Sequence, residues 1–325
     1  MVRLLPGPAS ELARHDLTAT IRAAFGPGIR ITAQVPLGAG AFGVVHAVTL
    51  SAPPGRAVAK VHTYPGEGAQ EAQRLRVLRA YLQPRGVRVP RVYAVVPASR
   101  ASPGDAVVME HLAGVSIRQL GDPERLSGGA RGAVQATVVD LLLALHAVRR
   151  PAGYGDLTGP AWPTWGAYYG RRVAAVHRFL RTDAAARGLH PTVRRVADAA
   201  AEQAPGILAT FVGPPTLVHG DVAPANLLVD PRTYRLTGLL DPLDSCWGDP
   251  ALDTLMLTNS RGHHYRFLEA YAARTGSDAA APLRYWFYMV WEWLSYFARF
   301  GLDAPAWFLA AAERLAAALR DHPRR

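Results

Sequence analysis

The run LVHGDVAPANLLVD, residues 217–230, joins two short apolar strands through a polar loop. His219, Gly220 and Asp221 close the first strand, and Asn226 follows five residues after Asp221, just before the apolar LLV. An aspartate at a strand end can take the proton of a hydroxyl whose oxygen attacks phosphorus. An asparagine amide oxygen a few residues on can ligate Mg2+. Fifteen residues after Asn226, GLLDPLDSCWGDPALD sets Asp241 directly behind another apolar strand, where a carboxylate can hold a divalent ion against phosphates. An isolated H-G-D is an ordinary loop. What lies upstream gives this one weight.

LGAGAFGVV, residues 37–45, carries Gly38, Gly40 and Gly43 in G-x-G-x-x-G spacing. Glycines there let backbone N–H groups approach phosphate oxygens. The following VVHAVTL reads as strand, not helix, which argues against the dinucleotide-binding form of the motif. One strand later, AVAKV contains Lys60, the single lysine among 36 basic residues. A compact ammonium beside a glycine loop suits phosphate oxygens, and arginine's planar fork is not equivalent to it. Glu71 on the next helix is the natural carboxylate partner for Lys60. Glu67 is the alternative, in the Gly-rich lead-in to that helix.

The segments IRITAQV, GVVHAVTL and RAVAKVH are short, β-branched and separated by Gly/Pro turns, which predicts consecutive antiparallel strands. EGAQEAQRLRVLRAYL predicts a helix with Ala72, Leu75, Leu78 and Leu82 on one face. VRVPRVYAVV and DAVVMEHL predict two more strands, and residues 10–25 a helix led by Ser10. Beyond AGVSIRQL, helices are expected over 130–149, 165–181, 190–204, 262–274 and, with breaks, 280–319. The aromatic runs 162–169 and 284–300 read first as buried helix faces. Trp286, Trp291 or Trp293 walling a ring, with Glu292 facing a polar group, is the functional reading. His263 and His264 make no convincing metal set.

The net charge of +11 is concentrated in the first two thirds of the chain. No dense basic block or helix-turn-helix pattern accompanies it, so solvated arginine faces are expected rather than nucleic-acid binding. No apolar run reaches the roughly 18–20 residues of a membrane-spanning helix. The single Cys246 offers no internal disulfide. A cytoplasmic protein without a membrane partner, monomeric or homodimeric, is expected.

The ordered set Gly38, Gly40, Gly43, Lys60, Glu71, Asp221, Asn226 and Asp241 resembles the aminoglycoside phosphotransferase and choline kinase family, over roughly residues 30–260. GVRVPRVYAV, VVMEHLAGVSI and LLALHAV resemble its linking strands, hinge and the helix before its catalytic loop. The resemblance implies an α+β, bilobal protein-kinase-like fold. An antiparallel sheet lobe (1–113) would precede a larger, mainly helical lobe (114–325), with ligands bound between them. It further implies ATP or GTP as donor and Mg2+ on Asn226 and Asp241. Asp221 would be catalytic base, Lys60 would lie on the phosphates with Glu71 steadying it, and purine contacts would come from the backbone at Glu110–Leu112. The acceptor would be a hydroxyl of a small molecule, an antibiotic of aminoglycoside, nucleoside or peptide type. A metabolic kinase of a sugar, sugar-amine or amino alcohol, and a non-catalytic nucleotide-binding module, are the alternatives. Ala223, Ala225 and the DPL after the metal aspartate depart from the family pattern without removing a catalytic group. Asp249 and Asp253 are expected to be structural.

Overall fold

The computed structural model describes residues 16–40, 42–98, 104–182, 188–242, 244–276, 280–301 and 304–321. The chain forms two compact units. Among the described residues, one comprises 16–137 together with 225–242, and the other comprises 138–224 with 244–321.

The first unit is built on β1 (Ile31–Gly40), β2 (Gly43–Leu50), β3 (Arg56–His62), β4 (Val92–Val96) and β5 (Ala106–Glu110). They form one antiparallel sheet in the order β1-β2-β3-β5-β4. Alternation along β3 sorts its residues between two faces. Ala57, Ala59 and Val61 pack with Leu17 and Ile21 of α1 (Thr18–Phe25 and the residue before it). Lys60 and His62 leave from the opposite face, toward α2 (Glu67–Leu82), which buries Glu71, Ala72, Leu75, Leu78 and Leu82. The expected start of the first helix, at Ser10 and Leu12, lies outside the described residues.

A second, three-stranded sheet of the same unit has the order β10 (Leu236–Leu239), β9 (Leu227–Val229), β6 (Val115–Ser116). The β9–β10 hairpin turns on Asp230, whose carboxylate accepts the backbone N–H groups of Arg232 at 2.8 Å and Thr233 at 2.9 Å. At its open end the Leu240 N–H donates to the Asn226 carbonyl at 2.9 Å. This bond sets Asn226 beside the residue before Asp241.

Helix α3 (Gly128–His146) is long and apolar enough by composition to cross a membrane. It buries Val134, Val138, Leu141, Leu142 and Leu145 and carries Arg131 and Asp140, as a core helix does.

The second unit packs α4 (Trp165–Leu180), α5 (Pro191–Ala209), α6 (Phe267–Thr275), α7 (Ala281–Phe300) and α8 (Phe308–Asp321) with a small sheet. That sheet has the order β7 (Gly155–Asp156), β11 (Cys246–Gly248), β8 (Thr216–Val218). Trp165, Tyr169, Phe287, Tyr288, Trp291 and Phe308 fill its core. Thr164 caps α4 by accepting the Ala167 N–H at 3.0 Å. Most of the aromatic side chains of 162–169 and 284–300 therefore serve packing, while Trp286 is half-buried. Trp291 and Trp293 are buried, and so is Glu292.

Two helix boundaries differ clearly from expectation. α5 runs through Pro205 to Ala209 because Ala204, Ile207 and Leu208 are buried along it, and that packing outweighs the lost N–H. Residues Asn259–Tyr265 form a 3-10 turn, and α6 begins only after Arg266, at φ 54°. The long final segment breaks, as expected, and does so at Gly301, φ 66°.

Arg284 and Asp249 form a buried ion pair at 2.7 Å, and the Tyr288 hydroxyl donates to the same carboxylate oxygen at 2.8 Å. Removing one member of such a pair leaves a buried charge. Arg284→Ala is expected to lower the unfolding free energy by about 3 kcal/mol, measured by urea denaturation.

Candidate active site

Lys60 lies in the middle strand of the larger sheet, opposite Val45 on one side and Val107 on the other. Its ammonium is 2.8 Å from Glu71 Oε2 and donates to Asp241 Oδ1 at 2.8 Å. Of the two candidate glutamates, Glu71 is the one that pairs. Burial works against the charge on Lys60, but Asp241 and Glu71 overcome it and hold its pKa above the ordinary lysine range. Burial likewise pushes the Glu71 carboxyl up, and Lys60 and His62 outweigh it, bringing the pKa down to about 2. His62 Nε2, 2.9 Å from Glu71 Oε2, is a member the sequence reading did not foresee. Asp241 differs from Glu71 in being reachable, with its side chain 36% exposed against 2%. Its backbone is left-handed (φ 59°), a conformation aspartate tolerates and functional sites often hold.

Gly38 and Gly40 lie on the exposed edge strand β1, with open space where side chains would stand. Gly40 pairs with Gly43 where the β1–β2 hairpin closes. The Glu110 carboxylate is drawn into structure. It meets Arg88 at 2.7 Å and Arg79 at 3.4 Å and accepts the Arg91 N–H at 3.1 Å. Glu110's own N–H donates to the Arg91 carbonyl at 2.8 Å. Leu112 is buried.

Asp221 belongs to the second unit, in the loop that follows β8. That loop is fixed by Asp253, which is fully buried. The Asp253 carboxylate accepts the Gly220 N–H at 2.7 Å and the His219 N–H at 3.1 Å. His146 Nε2 lies 3.0 Å from the same carboxylate, and Nδ1 lies 2.7 Å from the Tyr271 hydroxyl. A carboxylate only accepts, so His146 Nε2–H donates to Asp253. The Ser245 hydroxyl closes the set by donating to the His219 carbonyl at 2.7 Å. Gly220 has φ 84°, and a side chain there would run into the Asp244 backbone. Asp249 instead caps the 3-10 turn Pro250–Thr254 through the Ala251 N–H at 3.0 Å.

Beside this loop, Asp244 accepts a short hydrogen bond from Tyr296 and lies 3.2 Å from Arg299 and 4.0 Å from Arg172. Burial, followed by Asp244, Glu292 and Asp221, lifts the Tyr296 phenol well above its usual range, so it acts as a neutral donor. Glu292 accepts from the Tyr169 hydroxyl at 2.6 Å and from Arg172 at 3.1 Å.

The sequence profile of the Phosphotransferase enzyme family matches residues 36–287, most of the chain. The chain belongs to that family. This phosphotransferase is an enzyme of the kinase type with the protein-kinase-like α+β fold. Among solved structures it is similar to aminoglycoside phosphotransferase APH(4)-Ia in ternary complex with AMP-PNP and hygromycin B. The identity is 18%, covering 94% of this chain and 98% of that one, with a TM-score of 0.66. It is also similar to APH(2″)-IIa in complex with gentamicin, at 16% identity over 94% and 96% of the two chains, with a TM-score of 0.62. Among curated proteins it is similar to the uncharacterized protein YcbJ of Escherichia coli, 22% identical over 72% of this chain and 76% of that one.

In this phosphotransferase the lowered Glu71 pKa makes a directional statement about stability. A carboxyl whose folded pKa lies below its unfolded value stabilises the fold above the unfolded value, and that stabilisation fades as pH falls toward the folded one. The urea midpoint is therefore expected to fall between about pH 4.5 and 2, the ordinary and shifted Glu71 values. Glu71→Gln, less stable at neutral pH, should show a flatter decline over the same window.

Proposed function

We propose that this chain is a Mg2+-dependent O-phosphotransferase that moves the γ-phosphate of ATP or GTP to a hydroxyl of a small molecule. The acceptor is an antibiotic, and the outcome is resistance or self-protection. The observation that carries the reading is the Lys60–Glu71–Asp241 cluster. It holds a charged lysine on a sheet face and leaves one of its two carboxylates exposed.

Lys60 would neutralise the nucleotide phosphates while Glu71 holds it, and the open β1–β2 glycine hairpin at Gly38, Gly40 and Gly43 would lie over them. Backbone groups at Glu110–Leu112 would meet the purine. Among the described residues no three His, Cys, Asp or Glu side chains gather to hold a metal by themselves. Asn226 and Asp241 offer two hard oxygen donors linked through the Leu240–Asn226 backbone bond. That fits Mg2+, which takes one or two protein oxygens and completes its shell from phosphates and water. When bound, the ion neutralises charge on the transferring phosphate. Asp221, on a loop fixed by Asp253, would accept the proton of the acceptor hydroxyl. As that proton moves, the hydroxyl oxygen bonds to the γ-phosphorus, the bond from phosphorus to the bridging oxygen breaks, and the nucleoside diphosphate leaves.

The two carboxylates beside the catalytic loop, Asp244 and Glu292, are already matched by Arg172, Arg299, Tyr169 and Tyr296. A polycationic drug needs uncommitted carboxylates. This favours a less cationic acceptor, of nucleoside or peptide type, over the aminoglycosides of the similar structures. The enzyme is read as cytoplasmic, where its nucleotide is abundant.

A mass-shift screen of an antibiotic library, run beside sugars and amino alcohols with Mg-ATP, tests the reading. Phosphate gain by sugars alone would favour a metabolic kinase. Nucleotide binding with no phosphate gain on any hydroxyl would favour a non-catalytic module. Asp221→Ala should lower turnover by about two to four orders of magnitude with the fold intact, the usual worth of a positioned base. Lys60→Arg keeps the charge and should still raise the KM for ATP, because the guanidinium cannot reproduce a point ammonium between Glu71 and phosphate.

A further inference from the structure

Lys60 and His62 stand two residues apart on β3, so their side chains leave the same face of the sheet. Both reach one atom. Lys60 Nζ is 2.8 Å and His62 Nε2 is 2.9 Å from Glu71 Oε2. His62 is 1% exposed and Glu71 2%, so water does not compete for either group. The contact is a close electrostatic one and not an aligned hydrogen bond, since neither His62 Nε2 nor Glu71 Oε2 finds a hydrogen-bond partner.

The surroundings hold that imidazole in place. The His62 backbone N–H donates to the Asp105 carbonyl at 2.8 Å. The Asp105 side chain accepts the Gly66 N–H at 2.6 Å, where α2 begins, and the Ala98 N–H at 3.1 Å. The ring lies against the first turn of α2. A methyl group on Gly68 would stand 3.3 Å from His62 Cδ2 and 3.0 Å from Asp105 Cβ, which only glycine avoids without displacement. Asp105 thus fixes the start of α2, and His62 fixes the glutamate one turn further on.

We infer that His62 is a positioning residue for nucleotide binding, fixing Glu71 so that the Lys60 ammonium is held ready for phosphate. The inference rests on the reading of Lys60 as the phosphate-binding lysine. Lys60 divides its ammonium between Glu71 and Asp241. A glutamate held by the lysine alone could follow it as the lysine turns toward phosphate. With the buried imidazole 2.9 Å from the same oxygen, Glu71 stays where it is, and α2 need not move for the Lys60–Glu71 pair to persist.

The test compares His62→Leu, His62→Gln and His62→Asn in the full chain. The readouts are the dissociation constant of a fluorescent Mg-ADP analogue, the melting temperature and, where turnover is measurable, KM for ATP. The leucine variant should bind the analogue about ten-fold more weakly, the scale of one lost polar contact to a buried charged group. Its acceptor KM should stay at the parental value. Glutamine, whose amide nitrogen can stand near the Nε2 position, should restore affinity to within about three-fold, and the shorter asparagine should not. Parental affinity in the leucine variant at parental melting temperature would overturn the role of His62. Equal affinities of the glutamine and asparagine variants would do the same, and that comparison stands even where the leucine variant does not fold. Absence of nucleotide binding by the parent protein would instead remove the nucleotide reading itself.

Discussion

A charged amine buried in a protein needs opposite charge close by, and Lys60 obtains it from two directions. Glu71 comes from a helix packed on the sheet and Asp241 from the end of a hairpin far along the chain. The ammonium therefore ties three elements together. β3 must keep its register so that Lys60 faces α2, since a one-residue slip would turn Lys60 toward Leu17 and Ile21 on the other face. The hairpin must close on Asp230 for Asp241 to arrive beside it. An interaction that demands this much agreement defines the first unit more sharply than its apolar contacts do, because aliphatic packing tolerates exchange.

The second unit solves a related problem by other means. The loop after β8 carries backbone N–H groups that a short strand end cannot satisfy, and Asp253 accepts two of them. His146 then supplies the hydrogen bond that makes a fully buried carboxylate tolerable. In one unit a buried cation is matched by carboxylates; in the other a buried carboxylate is matched by backbone N–H groups and a histidine.

What the sequence reveals follows from the range of the interactions involved. β2, β3 and α2 were legible because their periodicity is local, and Glu71 because charge and helical phase left two candidates. Asp241 was legible as a carboxylate following a strand, but not its direct contact with Lys60, 181 positions away. His62 reads in sequence as the polar end of a strand. Its sequence does not reveal that Gly68, in the first turn of α2, makes room for its ring. Asp253 reads in sequence only as a structural residue. Its true partners, 33 and 34 positions earlier, become visible only once the 3-10 turn is set against the loop. Glu292 amid tryptophans invited a ligand, and the tertiary structure gave it Arg172 and Tyr169 instead.

The solitary lysine has a practical consequence. Among these 325 residues a lysine-specific protease has a single target, and it lies in the central strand of the larger sheet with 6% of its surface exposed. Cleavage after Lys60 requires that strand to leave the sheet, an opening that takes the fold of the first unit with it. The rate of that one cut reports how often the first unit opens, without any label attached. A ligand that bridges α2, β3 and the hairpin would slow the cut in proportion to how rarely it lets them part.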